Sequence, residues 1–275
     1  MTGPVTTDAR LRLALALAHE GGRQAAGTVG ADVHVDWKGP GDRVTDVDVA
    51  IQARLVERIR ASFPDDGIVA EEGMAIDPGA REYVWVVDPL DGTNNFALGI
   101  PCFSVSIGIL RQGLPHAGVV HDPSTGFTCS AMRGHGAMAA GRTLRLPGRP
   151  LTAASNVAVR APLDPELTAV TVGWLRRYKV RAFGSVALHL AYAAMGALDV
   201  VLDHKATLWD IAAGAAILLE AGGTITAPSG QPLFPPSAAG YGGASMPFLA
   251  GNATACAEAI AECRAALDGP SVSAR

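Results

Sequence analysis

The run Asp88-Pro89-Leu90-Asp91-Gly92-Thr93 shows more clearly than any other stretch how this chain folds. An apolar segment, residues 83–87, leads directly into it and predicts a strand that ends at the first aspartate. The proline stiffens the link between the two aspartates and lets the Leu90 carbonyl turn inward. Gly92 and Thr93 then predict the start of a short helix, whose free N–H groups suit a phosphate. One hexapeptide therefore offers carboxylates, a carbonyl, a hydroxyl and N–H donors, a combination that favours phosphoryl transfer.

Other acids also fall at the ends of predicted elements. Glu71 and Glu72 close a short predicted strand over residues 67–70, and Asp210 follows Trp209 at the start of an apolar helix. Carboxylates that face one another repel, and their burial costs several kcal/mol. A hard divalent cation such as Mg²⁺ removes that repulsion and takes oxygen ligands, waters and substrate phosphate. The pattern therefore predicts a Mg²⁺ site, with Mn²⁺ as an alternative.

The composition is that of a globular protein. The chain has 275 residues, is 49% hydrophobic and carries a formal net charge of −4, which suits one compact unit or two tightly joined halves. This charge is unlike the basic surface of a nucleic-acid binder, so we expect no nucleic-acid polymer as a partner. No apolar run has the length that spans a bilayer, and the first residues lack a secretory signal. We therefore expect a cytoplasmic protein without membrane contact.

The two halves of the chain differ in their pattern. The first half predicts helices over about 7–26 and 45–62, a polar glycine-rich stretch between them at 37–42, and a hairpin-rich sheet that continues to residue 139. The second half alternates predicted strands, at 156–159, 179–183 and 200–202, with predicted helices at 165–176, 184–194, 209–221 and 253–267. Such alternation is typical of an α/β arrangement.

Four motifs together resemble the inositol monophosphatase family. Its first signature is similar to W-V-V-D-P-L-D-G-T-N-N-F, Trp85 to Phe96, and its second to W-D-I-A-A-G-A-A-I-L-L-E-A-G-G, Trp209 to Gly223. Two further matches are K-G-x-x-D-x-V-T-x-x-D, Lys38 to Asp48, and the Glu71-Glu72 pair. The four occur in the family's order and at its usual spacing, and the resemblance covers residues 11–267.

This resemblance implies a fold, a layered α-β-α-β-α sandwich with an antiparallel-rich first sheet and a more parallel second one. It implies that residues 1–145 form an α+β half with most of the metal ligands. Residues 146–275 then form an α/β half with Asp210 and the site for the substrate alcohol, and the two halves make one compact unit. The resemblance also implies a homodimer and sensitivity to Li⁺.

The same resemblance implies a set of metal ligands. A first Mg²⁺ is held by Glu71, Asp88 and the Leu90 carbonyl. A second is held by Asp88, Asp91 and Asp210, and a weaker third by Glu71 with waters. Metals at both ends of an in-line displacement stabilise the attacking and leaving oxygens and acidify a bound water, so no covalent intermediate is needed.

Roles in catalysis and substrate binding are implied as well. Thr93, with Asp48 behind it, orients the attacking water, and Glu71 helps to activate that water through a metal. Lys38 lies near the rim of the cleft. The residues implied to bind the substrate are Asp91, Gly92, Thr93, Gly184, Ser185, Val186, Asp203 and Asp210. Asp203 is one methylene shorter than the glutamate that is commonest at this place in the family.

Each of several candidates also has a simpler structural interpretation. Asp210 is also a suitable acid for a helix N-terminus, Thr93 is also a suitable N-cap, and Asp48 also fits a helix surface. Glu72 and Lys38 are also consistent with solvated surface charges. The family context favours the functional interpretation of Asp210, Thr93 and Asp48.

The sequence leaves the substrate open. Family members act on phosphates of several alcohols, and fold-level analogy does not choose among them. We rank an inositol or related cyclitol or sugar monophosphate first, followed by histidinol phosphate, then 3′-phosphoadenosine 5′-phosphate and fructose 1,6-bisphosphate. A carboxylate at Asp203 suits a polyol, whereas Lys205 nearby favours a second anionic group. A hypothesis of another class, a catalytically inactive metal-binding interaction protein, is disfavoured because every motif acid is present.

Overall fold

The computed structural model describes residues 8–29, 34–39, 42–72, 81–234, 241 and 243–268, without the side chains of Lys38 and Asp42. The helices are α1 Ala9–Ala26, α2 Asp46–Ser62, α3 Thr93–Ala97, α4 Thr168–Arg177, α5 Val186–Ala194, α6 Leu208–Glu220 and α7 Ala253–Leu267. The strands are β1 Val35–Gly39, β2 Asp42–Thr45, β3 Gly67–Ala70, β4 Tyr83–Asp91, β5 Ser104–Arg111, β6 Leu114–Asp122, β7 Phe127–Met132, β8 Gly136–Ala139, β9 Arg142–Thr143, β10 Asn156–Val159, β11 Lys179–Arg181, β12 Val200–Asp203, β13 Thr224–Thr226 and β14 Phe248–Gly251.

Two large sheets and three helix layers make up the described part of the chain. The first sheet has the order β3-β4-β5-β6-β7-β8-β9 and is antiparallel except between β3 and β4. The second has the order β11-β10-β12-β14-β13, in which β10 is parallel to both neighbours and β14 is antiparallel to both. α1 and α2 cover the outer face of the first sheet, α5 and α6 lie between the sheets, and α4 and α7 cover the second. The predicted α-β-α-β-α sandwich is confirmed.

Helix α6 lies unusually close to the first sheet. Gly108 of β5 and Gly118 of β6 pair across the ladder, which leaves a flat place without side chains. A Cβ on Gly118 would stand 2.3 Å from Ala213 O, and one on Gly108 would stand 2.6 Å from Ala212 Cβ. The backbone of α6 therefore rests directly on the sheet. Since α6 belongs to the second half of the sequence and this sheet to the first, the two halves share one core; the division at residue 145 stays a prediction.

The helices begin where side-chain caps are available. Asp8 accepts N–H groups of Arg10 and Leu11 at the start of α1, and Thr45 forms a capping box with Asp48 at the start of α2. Asn252 accepts the Ala255 N–H at the start of α7. These caps explain why the predicted helix starts lie within a few residues of the observed ones.

Two local predictions differ from the structure. Residues 37–42 were expected to form a glycine-rich connection, but β1 and β2 pair there as an antiparallel ribbon, with the Arg43 guanidinium 4.8 Å from the Trp37 ring centroid. The predicted strand over 179–183 ends at Arg181, and the next helix begins at Val186 rather than at Gly184. Gly184 has a φ of 76°, a conformation that favours glycine and turns the chain into α5.

Within the described ranges, no helix has both the length and the apolar character that a membrane span requires.

Candidate metal centre and active site

Three carboxylates from two elements meet beside the end of β4. Oxygens of Asp88, Asp91 and Asp210 lie within 4.8 Å of one another. The first two residues belong to β4, whereas Asp210 lies in the first turn of α6. Asp88 and Asp91 are buried, and Asp210 is partly exposed. The structure thus brings together acids that are far apart in the sequence and that the sequence predicted to converge.

A bulge in β4 turns both of its aspartates to the same side. Asp88 pairs with Ser106 of β5 and Asp91 with Ser104, so three steps along β4 match two along β5. Residues three apart on a regular strand face opposite sides, and the extra residue of a bulge cancels that alternation. Pro89 lies in the bulge, where the ladder requires no N–H donor. The D-P-L-D spacing therefore directs two carboxylates to one point.

The N-terminus of α5 binds Asp91. Ser185, the N-cap residue, donates its hydroxyl hydrogen to the Asp91 carboxylate. The N–H groups of Val186 and Ala187 donate to it at 3.1 and 2.7 Å. Burial raises the pKa of Asp91 to about 6, and the three hydrogen bonds limit that rise because they favour the charged form. The helix start therefore fixes this carboxylate in place.

Glu71 joins the cluster from the neighbouring strand. β3 and β4 are parallel, so their carboxyl ends reach the same edge of the sheet, and Glu71 follows β3 there. Its N–H donates to Val87 O at 3.2 Å, and its side chain shares a hydrogen bond with Asp88. Burial raises the pKa of Asp88, and the negative charges of Glu71, Asp91 and Asp210 raise it further. A bound cation would offset this repulsion between the carboxylates.

Asp210 and Asp48 each cap a helix and also contribute to the site. Asp210 Oδ2 accepts the Thr207 N–H at 2.7 Å, and Asp48 Oδ2 accepts the Thr45 N–H at 2.8 Å. Each aspartate keeps a second oxygen for other partners. Burial raises the pKa of Asp210, and the charge of Asp91 adds to this effect, although the residue as a whole is partly exposed. Helix capping and a place in the site are therefore compatible for both residues.

Thr93 lies between Asp48 and a backbone carbonyl. Its Oγ1 is 2.9 Å from Asp48 Oδ1 and also 2.9 Å from Leu90 O. A hydroxyl has one hydrogen, so only one of these oxygens accepts it at a time, and the lone pairs of Oγ1 remain available. Burial raises the pKa of Asp48, whereas hydrogen bonds from Thr45 and Thr93 lower it. The structure thus places the predicted pair, Thr93 and Asp48, in direct contact.

The turn into α3 depends on glycine and on one asparagine. Gly92 has a φ of 98°, and a Cβ there would stand 2.9 Å from Cys102 O. Asn95 Nδ2 donates to Cys102 O at 2.7 Å and to Phe183 O at 2.6 Å. A Cβ on Gly184 would stand 2.9 Å from that same Asn95 nitrogen. Asn95 therefore joins α3 to the segment that leads into α5, and so joins both sides of the site.

The donor set fits a hard divalent cation. The cluster of Asp88, Asp91 and Asp210 offers carboxylate oxygens and no nitrogen or sulfur, which is the preference of Mg²⁺ rather than of zinc. Ser106, opposite Asp88 in the ladder, has a buried hydroxyl that finds no hydrogen-bond partner among the described residues. An orphaned hydroxyl beside clustered acids suits a place that binds a hydrated ion.

Comparison with known proteins agrees with this geometry. The sequence pattern of the inositol monophosphatase family matches residues 7–265. The chain belongs to the inositol monophosphatase family. Membership makes it a phosphomonoester hydrolase of a metal-dependent type, and the described residues include an acidic cluster.

Three comparisons illustrate the likeness. A Thermotoga maritima protein named fructose-1,6-bisphosphatase/inositol-1-monophosphatase is 36% identical over 190 residues, which cover 69% of this chain and 73% of that protein. A Pasteurella multocida protein named Nus factor SuhB is 37% identical over 200 residues, which cover 70% and 75% respectively. A solved structure of a Thermotoga maritima IMPase superposes with a TM-score of 0.82 at 30% identity, covering 95% of this chain and 99% of that one.

The residues predicted to bind the leaving alcohol lie in two places. Ser185 and Val186 are buried and contact Asp91, and Gly184 packs against Asn95. Asp203 lies at the end of β12, where its Oδ1 accepts the N–H groups of residues 205 and 206 at 2.8 and 2.9 Å. The role of these residues in inositol monophosphatase-type substrate binding stays a prediction.

Sequence reasoning missed two residues that support the site. Gln52 of α2 exchanges two hydrogen bonds of 2.8 Å with the backbone of Glu72, which holds the segment after β3. Asn95 joins α3 to the segment that leads into α5, as described above. The second asparagine of the D-G-T-N-N run pointed to Asn95. No sequence pattern pointed to the contact of Gln52 with a loop 20 residues away. Lys38 lies in β1, and its side chain is outside the described part of the structure.

Proposed function

We propose that this chain catalyses the Mg²⁺-dependent hydrolysis of a small phosphomonoester by direct attack of water. The observation that carries the proposal is the meeting of three carboxylates within 4.8 Å of one another, beside a threonine that contacts a buried aspartate. Bound Mg²⁺ supplies charge neutralisation for the phosphate and a water of lowered pKa. The family match supports this reaction type.

The proposed ligands follow from the predicted set. Glu71, Asp88 and the Leu90 carbonyl serve a first ion, while Asp88, Asp91 and Asp210 serve a second, and Glu71 also serves a weaker third. The shared position of Asp88 is supported by its hydrogen bond with Glu71 and by its closeness to the other two aspartates. Two N–H groups of α5 hold Asp91, and the N–H of Thr207 before α6 holds Asp210, so these ligands require little reorganisation when metal binds.

We assign the orientation of the attacking water to Thr93 and Asp48. When the Thr93 hydroxyl donates to Asp48 Oδ1, a lone pair of Oγ1 is left to accept a hydrogen bond from water. A water held in this way would be oriented for attack on the phosphorus. Thr45, at the start of α2, holds the Asp48 carboxylate in place. The fixed carboxylate in turn limits the rotation of the Thr93 hydroxyl.

Phosphate binding is assigned to the turn at the start of α3. The N–H groups of Gly92 and Thr93 are unspent by the helix itself, as at any helix start, and they lie next to Asp91. Lys38 contributes positive charge at the rim of the cleft. Gly184, Ser185, Val186 and Asp203 border the leaving alcohol, for which an inositol or other cyclitol or sugar monophosphate is the first class to test. The Thermotoga relative, whose name includes a fructose bisphosphatase and an inositol monophosphatase, supports this choice.

Other properties expected from the sequence stay predictions. They are the homodimer, the sensitivity to Li⁺, the cytoplasmic location and the absence of a nucleic-acid partner. The expected absence of a nucleic-acid partner gains no support from the Pasteurella multocida relative, because that protein is named Nus factor SuhB rather than a phosphatase.

The test is phosphate release by the purified protein after chelation and re-addition of Mg²⁺. We expect activity that returns with Mg²⁺ and that Asp91→Asn abolishes. Asp65→Asn, an exposed aspartate in the turn before β3, is the matched control and should keep full activity. Metal binding without phosphate release from any phosphomonoester tested would overturn the proposal and favour an inactive metal-binding protein.

A further inference from the structure

Arg160 and Asp203 are neighbours at the carboxyl ends of two parallel strands. β10 and β12 pair in register with Val159 opposite Leu202, and the Arg160 N–H donates to Leu202 O at 3.2 Å. Ligands of open α/β sheets bind at this edge, where parallel strands end. The two side chains therefore emerge together, one residue beyond the last ladder pair.

The carboxylate of Asp203 is not available to a ligand. The residue is 1% exposed, and its Oδ1 accepts two N–H groups of the turn that follows β12. Its Oδ2 is buried and accepts no hydrogen bond from any described residue. The nearest cation to Oδ2 is Arg160, whose Nη1 lies 3.6 Å away. Because Asp203 Oδ2 is buried, its charge interacts with the Arg160 guanidinium, and a hydroxyl group of a ligand does not reach it.

The Arg160 guanidinium has the opposite character. Its side chain is 36% exposed, and among the described residues it donates no hydrogen bond. Its five N–H donors, arranged in a planar fork, are therefore unspent. Such a fork matches carboxylate and phosphate oxygens. The accessible polar group at this place is a donor, not the acceptor that the sequence suggested.

This pair is close to the metal centre. The four-residue connector 204–207 joins Asp203 to the start of α6, whose first turn holds Asp210. Asp203 ends β12, and Asp210 follows it only seven positions further along the chain. Lys205 in the same connector is exposed and adds a second positive charge at this edge.

We propose that Arg160 is a specificity residue, whose guanidinium binds a second anionic group on the leaving alcohol, a phosphate or a carboxylate. Asp203 is then a positioning residue that anchors the guanidinium. This inference rests on the proposed phosphatase function and narrows its substrate class. Within the cyclitol and sugar phosphates, those with a second anion are hydrolysed with a higher kcat/KM than neutral alcohol phosphates.

The test compares two substrates that differ by one phosphate, inositol 1-phosphate and inositol 1,4-bisphosphate, at fixed free Mg²⁺. For the unmodified protein we expect a higher kcat/KM for the bisphosphate. A charge-assisted hydrogen-bond pair corresponds to about 10- to 100-fold, so Arg160→Met should reduce that ratio by about this factor and leave kcat/KM for the monophosphate within a few-fold. Arg160→Lys keeps the charge and should retain part of the ratio. Added salt should shrink the ratio for the unmodified protein only, since exposed charges are screened.

Controls separate specificity from stability. Arg176→Met removes an exposed arginine on α4 and should leave the ratio unchanged. Because Arg160→Met leaves the Asp203 carboxylate buried without its cation, the double variant Arg160→Met/Asp203→Asn should restore stability while the bisphosphate advantage stays lost. Asp203→Asn alone keeps the guanidinium but removes the charge that anchors it, so the bisphosphate preference should fall, though less than in Arg160→Met.

The outcomes are distinguishable. An unchanged ratio in Arg160→Met, or a loss of inositol 1-phosphate hydrolysis in Asp203→Asn as large as that in Asp91→Asn, would overturn the role of Arg160 and leave the phosphatase function standing. No hydrolysis of either substrate, or of any other phosphomonoester, by the unmodified protein would instead overturn the proposed function itself.

Discussion

The close approach of α6 to the first sheet predicts that a single methyl group added in the core strongly lowers activity. The perturbation is Gly118→Ala. The added Cβ would stand 2.3 Å from Ala213 O and 2.8 Å from Ala213 Cα, both backbone atoms that do not rotate away. Ordinary contact begins at 3.4 Å, so α6 must retreat from β6 by about 1 Å. Ala213 lies only one helical turn beyond Asp210, so a displacement of α6 at Ala213 also moves the Asp210 carboxylate.

Two effects of this displacement are expected. An extra methyl in a filled core costs about 1–3 kcal/mol of unfolding free energy. A shift of about 1 Å also exceeds the roughly 0.2 Å that metal–ligand distances tolerate, so Mg²⁺ affinity falls. Misplacement of this size is worth about 100-fold in rate. We therefore expect a modest loss of stability together with a large loss of kcat/KM that added Mg²⁺ only partly restores.

The assay is a Mg²⁺ titration of phosphate release, with thermal unfolding measured in chelator and in Mg²⁺. Gly173→Ala, in the middle of α4, is the matched control, because a Cβ there meets only the end of the Arg177 side chain at 3.6 Å. That change should stabilise the fold by about 0.5–1 kcal/mol and leave activity unchanged. A Gly118→Ala protein with unaltered Mg²⁺ dependence and kcat/KM would refute the link between helix depth and the position of Asp210.

Three further predictions concern the site. Thr93→Val should lower kcat by about 100-fold or more, while Mg²⁺ affinity, measured by thermal stabilisation, changes little. Thr93→Ser should keep most of kcat because it retains the hydroxyl beside Asp48. Equal losses of kcat in both variants would argue against a role of the hydroxyl in catalysis. In chelator, the folded state holds a proton on Asp91 with a pKa of about 6 that the unfolded chain releases near 3.8, so stability from this group is fully present below about pH 4 and is lost, by about 3 kcal/mol, as the pH rises through 6. Denaturation at several pH values should show this slope and Mg²⁺ should remove it, whereas Asp91→Asn should only reduce it, because the pKa values of Asp88 and Asp210 are raised as well. Asn95→Asp takes away the donor shared by Cys102 O and Phe183 O, and it should cost about 1–3 kcal/mol in urea unfolding and lower kcat/KM. Asn94→Asp, at the exposed neighbouring position, should cost much less.

The sequence predicted those parts of the site that depend on local pattern. An apolar run followed by D-P-L-D-G-T is a strand, a bulge and a turn within one short segment, and β4 and α3 lie where that pattern places them. Caps at Asp8 and Thr45 are local as well, and the helices begin beside them. The five-layer fold, in contrast, was reached through the resemblance, since alternation of elements alone does not determine how two sheets and three helix layers are stacked.

Contacts between distant segments were beyond the reach of the pattern. The resemblance implied that Ser185 and Val186 bind substrate, and the structure adds that both donate hydrogen bonds to Asp91, which precedes them by nearly a hundred residues. Asp203 looked like an acceptor for hydroxyl groups, but the register of β10 against β12 places Arg160 beside it. In both cases the sequence contained no sign of the intramolecular partner, because a partner is set by strand register and helix docking rather than by spacing along the chain.

The helix caps at Asp48 and Asp210 have a consequence for how the protein responds to mutation and to ligand. Each carboxylate is clamped by the backbone of its own helix, so its rotamer is chosen when the helix forms. The entropic cost of ordering these two carboxylates is thus met once, during folding, and does not recur in each catalytic cycle. A change that frays either helix should therefore be felt first as slower chemistry, at temperatures where the fold is still intact.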